Sequence, residues 1–454
     1  MDKKTLCKLL VLVAIPLLIS LFPAPAGLTE LAWVLSGIYL AAIVGLVIKP
    51  FSEPVILLVA VAASMVIIGN LGDGSIKSSS VLSGYASGTT WLVFSAFTLS
   101  AAFVITGLGK RIAYILIGKI GSTTLGLGYV TAFLDLILSP ATPSNTARAG
   151  GIVLPIINSV AVALGSEPEH TAKRVGHYLM MNVYMVTKTT SYMFFTAMAG
   201  NILALKMIED ICHIKLSWGG WALAGILPGL IMLLLTPLIT YKLYPPELKK
   251  VDNKAIAKEG LESLGPMTLR EKMLSCLFVM ALAGWVFSTS LGVNESTVAI
   301  CVMALMLILK IVTWDDVIKN KGGWNTLIWY GGIIGLSSLL SKVGFFLWLA
   351  ELLKNNISFG SHSTLAFVVI VALSILVRYF FPSGSAYIVA MVPVFAMLAN
   401  VSGAPVMLTA LALLFSNSYG GMVTHYGGAA GPVIFACCPE PAALSSFPKQ
   451  SSNR

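Results

Sequence analysis

Residues 139–151 read Ser139-Pro140-Ala141-Thr142-Pro143-Ser144-Asn145-Thr146-Ala147-Arg148-Ala149-Gly150-Gly151. They interrupt an apolar block that runs from 122 to 160, too long for one helix. Lipid supplies no partner for a freed backbone N–H or C=O. A broken helix at membrane depth therefore survives only where it lines a cavity inside the protein. Prolines, glycines and small hydroxyl or amide residues in mid-block point to a binding site built on a discontinuous helix.

The chain around this run has the composition of a membrane protein. Of its 454 residues, 57% are hydrophobic and 11% charged, and the mean hydropathy is +0.88. A soluble domain carries about 25% charge. The apolar blocks are of bilayer-spanning length, roughly 20 residues each. The net charge of +10 sits in short loops, as the positive-inside bias places it, and is not read as a nucleic-acid surface. Cys7, Cys212, Cys276, Cys301 and the adjacent Cys437-Cys438 have no metal-ligand spacing. Lys3, Lys4 and Lys8, an apolar run and Ala24-Pro25-Ala26 imitate a signal peptide. The preferred reading is an uncleaved first span in a multi-pass protein of a bacterial inner membrane.

A second long block, 363–399, breaks at Phe381-Pro382-Ser383-Gly384-Ser385. Both blocks read as re-entrant helical hairpins. The polar stretch Tyr241–Lys272, rich in Lys and Arg, divides the chain into halves and is expected in the cytoplasm. The halves share landmarks. Leu92 to Gly109 aligns with Leu327 to Gly344 at an offset of 235, Ser144 with Ser383 at 239, and Gly200 with Gly431 at 231. Repeats with broken helices at matching positions, here in inverted orientation, mark secondary transporters. The expected organisation is an N-terminal span (1–28), a first inverted repeat (29–240), a loop (241–272), a second inverted repeat (273–436) and a polar tail (437–454). The span at 217–240 finds no counterpart in that tail. The final span is expected to be missing, as a family variant or a truncated copy.

Several residues are candidates for chemistry. Ser144, Asn145 and Thr146 offer oxygens that suit sodium and, at a half-helix start, N–H groups that suit a carboxylate. A sodium ion near Ser144, Asn145 and Gly200 is the one cofactor these oxygens admit. Arg148 either holds a carboxylate through its fork or pairs internally with Asp135. Lys188, among Thr187, Thr189, Thr190 and Ser191, marks either a wet cavity or a structural lysine; Thr189 joins the candidate set. Arg378 and Lys342 are read as capping hairpin ends. Asn201 follows Gly200, and Thr424-His425 holds the corresponding place in the second half, where His425 either meets an anion or is a satisfied bundle histidine. There is no GxSxG, HExxH or GxxxxGK[ST] run, so neither an enzyme nor an ATP-driven pump is expected.

Pro143 to Gly151, with Trp324-Asn325-Thr326, Gly331-Gly332 and Thr424 to Gly427, resembles the divalent anion:sodium symporter family over about residues 30–435. The likeness is greatest to the branch of bacterial citrate/succinate and tartrate/succinate exchangers and plastid 2-oxoglutarate/malate translocators. It implies an all-α fold of eleven spans and two re-entrant hairpins, an elevator-type transport domain, a homodimer in the lipid bilayer, and dicarboxylate substrates. It also implies that Ser144, Asn145 and Thr146 bind substrate at one tip and Ser383, Gly384 and Ser385 at the other. Gly384 stands where sodium-coupled members keep Asn, and Arg148 where they keep a small residue. Both departures favour sodium-independent exchange of 2-oxoglutarate, malate, succinate or a similar acid. The alternatives are a sodium-coupled di- or tricarboxylate symporter and an inactive copy.

Overall fold

Apolar runs without a cluster of turn residues form single helices, and the breaks fall where glycine, proline or a capping side chain permits them. The computed structural model describes residues 3–435 except 73, 75, 169, 357–361, 382, 423, 425–427 and 429. The polar tail 437–454 and His425 lie outside the described residues.

Lys3–Ser20 (α1), Glu30–Ile48 (α2) and Glu53–Leu71 (α3) open the chain. Thr29 caps α2 by accepting from the Ala32 N–H, and Pro54 sits in the first turn of α3, where no helical hydrogen bond is lost. A 3₁₀ turn, Ser78–Gly84, leads into Gly88–Thr106 (α4), and Gly107 at φ 79° divides α4 from Leu108–Ile120 (α5). Thr124–Leu138 (α6), a 3₁₀ turn at Ser139–Ala141, Asn145–Arg148 (α7), a π-helical turn at Ala149–Val153 and Leu154–Ala163 (α8) make the first hairpin. Gly176–Met193 (α9) breaks before Ala199–Cys212 (α10), and Trp218–Leu243 (α11) follows. The stretch expected to be a polar loop contains a helix, Asn253–Leu264 (α12), capped by Asp252 and packed on α5. Its buried Ala257 and Gly260 lie three residues apart, on one face, with Gly260 against the Tyr114 ring.

The second half runs Leu269–Val286 (α13), Ser288–Leu291 (α14), Glu295–Ile308 (α15), Trp314–Lys319 (α16), Lys321–Lys342 (α17) and Phe345–Asn356 (α18). Ser363–Arg378 (α19) and Gly384–Val401 (α20) form the second hairpin, and Val406–Tyr419 (α21) and Ala430–Phe435 (α22) the last broken pair. The described residues hold no named β-strand; one isolated bridge joins Thr123 and Lys250.

Seven helical segments among the described residues are long and apolar enough to cross a bilayer, and eight if α17 and α18, bent by 67°, count as one span. That is fewer than the eleven implied by resemblance. Short pieces beside a break, such as α10, α21 and α22, are not counted by themselves.

The matching landmarks recur in the element order. Ser144 and Ser383 are both N-caps after a break, and Gly200 and Gly431 are both the second residue of a helix after a break. The first landmark shifts by two residues. Gly107 and Gly344, both at positive φ (79° and 81°), divide α4 from α5 and α17 from α18. Sequence alignment had paired Gly109 with Gly344.

Two packed groups frame the interior. The hairpin arms gather around the broken pairs, with α10 and α21 against α20, and α9 against α6, α11 and α21. On the other side α17 packs on α3, α4 and the 3₁₀ turn. A Cβ on Gly84 or Gly335 would strike the carbonyl oxygens of Gly331 or Val81, so glycine is what lets these backbones meet.

Candidate anion-binding site

Ser144 Oγ accepts from the Ala147 N–H at 3.1 Å, and Ser383 Oγ accepts from the Ala386 N–H at 3.4 Å. Each serine starts the returning arm of a hairpin, and both line one cavity of about 220 Å³. Asn145, Thr146, Gly384 and Ser385 line it too, as does Gly200 at the start of α10. The N-terminal ends of helices carry partial positive charge and outward N–H groups, and three of them converge here.

Two buried cations complete this side. Lys188 projects from α9 and Arg378 from the end of α19, each 2% exposed and each on the cavity wall. Lys188 Nζ lies 5.5 Å from the Tyr184 ring centroid, and the Arg378 guanidinium carbon 5.5 Å from that of Tyr387, within cation–π range. Arg378 Nη1 donates to Phe381 O at 2.6 Å, which ties the guanidinium to the break of its own hairpin. A Cβ on Gly428 would sit 2.7 Å from Lys188 Nζ, and one on Gly384 3.4 Å from Arg378 Nη2. Glycine therefore gives both cations their room.

The opposite wall comes from the other packed group. It presents Phe97 of α4, Thr326 and Trp329 of α17, and an ion pair of Lys49 with Glu53 at 3.5 Å. The charged lining is thus three cations against one carboxylate. A larger groove of about 560 Å³ among α1, α2 and α3 is apolar except for Ser20 and Glu30 and offers nothing to hold an anion.

Arg148 does not reach the cavity. It is fully buried, and its Nε donates to Asp135 at 3.0 Å. Nη1 donates to Thr142 O and Ala197 O, and Nη2 to the hydroxyls of Thr190 and Ser191. All of its donors are directed inward, so the internal pairing with Asp135 prevails over substrate contact. Thr190 Oγ1 also donates to Asp135. The network stitches the first hairpin to the break between α9 and α10, aided by Ala199 N–H to Pro143 O at 2.7 Å and Thr196 Oγ1 to Pro140 O at 2.7 Å.

Asn201 and Thr189 are likewise engaged elsewhere, and Thr424, whose hydroxyl has no partner among the described residues, also lies off the cavity. Asn201 is buried and donates to Ser191 O and Phe194 O, closing carbonyls freed by the end of α9. Thr189 donates back to Met185 O within α9. The Thr424 carbonyl accepts from Tyr184 Oη at 2.7 Å. None of the three is on the cavity wall.

The profile of the sodium:sulfate symporter transmembrane region matches residues 3–441. The chain belongs to this family. It is 79% identical over 435 residues to inner membrane protein YbhI of Escherichia coli strain K12, covering 96% of this chain and 91% of that one. It is 40% identical to the putative malate transporter YflS of Bacillus subtilis strain 168, covering 95% and 89%. It is 35% identical to the L-tartrate/succinate antiporter of Escherichia coli strain K12, covering 93% and 89%. Family and relatives are transporters, and the chain is a membrane transporter, not an enzyme.

Within this family member, the side chains that sequence reasoning left outside the site are Lys188, Arg378, Asn417 and the residues of the far wall. Lys188 and Arg378 carried a signal, a cation inside an apolar block, which marks function by default. Asn417, in Ser416-Asn417-Ser418 at the end of α21, carried a weaker one, a polar triplet before glycines.

Proposed function

We propose that the protein exchanges one small dicarboxylate for another across a bacterial inner membrane, as a homodimer with an elevator-like motion, and without sodium. The observation that carries this is the cavity itself, where two hairpin N-caps, Ser144 and Ser383, face Lys188 and Arg378. A dianion matches a lining whose fixed charge is plus two. Its two carboxylates are small enough to meet one helix start each, and the cations sit on the same side. The names of the relatives, a malate transporter and a tartrate/succinate antiporter, agree with that substrate class.

The charge also favours exchange over one-way transport. A cavity carrying two excess positive charges through low dielectric costs far more than one neutralised by a dianion. The loaded form therefore crosses and the empty form is held back, so each inward passage needs an outward one.

Sodium fits this site poorly. The Thr142 and Ala197 carbonyl oxygens by the first hairpin tip accept from Arg148 and are not on the cavity wall. Any added cation would also stand near Lys188 and Arg378, which Coulomb repulsion disfavours. The second reading, sodium-coupled symport, rests on the family name.

Purified protein in liposomes tests both. Uptake of labelled malate is expected to require a dicarboxylate inside and to be indifferent to sodium. Uptake that needs sodium and no internal substrate would establish symport instead.

A further inference from the structure

We infer that Asn417 is a specificity residue that reads an oxygen substituent next to a substrate carboxylate, so that the site prefers 2-hydroxy- or 2-oxo-dicarboxylates over the plain diacid. The inference rests on the dicarboxylate reading above.

Asn417 sits in the last turn of α21, 3% exposed, on the wall of the same cavity. Its amide lies between two helix starts. Nδ2 is 3.5 Å from the position of a Cβ on Gly200, and Oδ1 4.0 Å from that of a Cβ on Gly384. Among the described residues neither Nδ2 nor Oδ1 has a hydrogen-bond partner, and neither does the neighbouring Ser418 Oγ.

A buried amide that no protein group bonds leaves both of its ends to whatever enters the cavity, at a cost to stability. Most amides in such places are bonded to backbone, as Asn201 and Asn182 are through their Nδ2 groups. Among the described residues Asn417 has only the cavity to turn to. The charged ends of a dicarboxylate have better partners in Lys188, Arg378 and the two N-caps. What remains for Asn417 is the stretch between the carboxylates. There a hydroxyl can give to Oδ1 and accept from Nδ2, and a keto oxygen can accept from Nδ2. A methylene in that place leaves the amide idle. A site built to bond an oxygen discriminates against the analogue that lacks it, because the polar groups are then left unpaired.

The test is competition between malate and succinate, which differ by one hydroxyl, for exchange by purified protein in liposomes. The wild type is expected to favour malate by about tenfold, the worth of one hydrogen bond. Asn417→Leu and Asn417→Ala are each expected to bring that ratio close to one. Asn417→Leu is also expected to melt higher than wild type without substrate, since an apolar side chain replaces an idle amide; a merely structural asparagine would melt lower. An unchanged malate-to-succinate ratio in both variants overturns the inference while leaving dicarboxylate exchange intact. A wild type that exchanges neither acid overturns the reading beneath it.

Discussion

Arg148 shows how one side chain can serve a site it never touches. Five donor contacts, one of them the ion pair with Asp135, both side chains fully buried, hold the first hairpin against the break between α9 and α10. Removing one partner of such a pair leaves a buried charge alone, at a cost of about 3–5 kcal/mol. Arg148→Met is therefore expected to lower the thermal midpoint sharply in detergent, and adding Asp135→Asn to recover part of the loss. Lys188 and Arg378 should behave in the opposite way. Each is expected to matter more to transport than to folding. A hydrogen bond from a charged group contributes about 1.5–3 kcal/mol, so Lys188→Met or Arg378→Met should reduce malate exchange by roughly 10- to 100-fold, read as initial rates from protein with wild-type melting behaviour. Asn145→Ala and Thr146→Val should abolish uptake while expression persists. The sequence offers four cations inside or at the end of apolar blocks, Arg148, Lys188, Lys342 and Arg378, of which the structure buries all but Lys342. Nothing local separates the one that turns to Asp135 from the two that face the cavity, because the difference lies in which helix stands opposite.

Helices and breaks were largely legible. The turn residues at Ser139–Gly151 and Phe381–Ser385 did interrupt their blocks, and the two serines became N-caps because a short hydroxyl can reach the third N–H of the helix it begins. The bend between α4 and α5 fell at Gly107 because that residue takes a left-handed conformation, open to glycine at little cost. The helix α12 was missed because half of its twelve residues are polar, and it is held by the Asp252 cap and by packing against α5. A close backbone contact between elements, α17 against the Ser78–Gly84 turn, rests on Gly84 and Gly335. Gly335→Ala is expected to force these backbones apart and cost about 1–3 kcal/mol, as overpacking does, seen as a lower thermal midpoint. If the wall formed by α17 stays put during transport, exchange by the surviving folded protein should be slowed little.

At the scale of the whole molecule the charge of the cavity links structure to transport mode. Loaded with a dianion, the lining is close to neutral, so one-for-one exchange of dianions moves no net charge. A membrane potential imposed with potassium and valinomycin is expected to leave the rate of malate-for-malate exchange unchanged, and a symporter taking up excess sodium would respond to it. Replacing sodium by choline should also have no effect. Both follow from the proposed site, in which Lys188 and Arg378 take the place of a co-transported cation.

Composition and periodicity alone placed this chain in the membrane, because 57% hydrophobic residues in spanning-length blocks leave no other solvent for it. They also located both hairpin tips, since Pro, Gly and hydroxyl residues in mid-block have no cheap structural role there. Neither property depends on distant contacts. The rest did depend on them. That Ser144 and Ser383, 239 residues apart, share one cavity, that Lys188 and Arg378 enter it and Arg148 does not, and that Asn417 has no hydrogen-bond partner there among the described residues are facts of tertiary packing. Each turns on which helix faces which, and a long polar side chain carries no mark of its eventual neighbour.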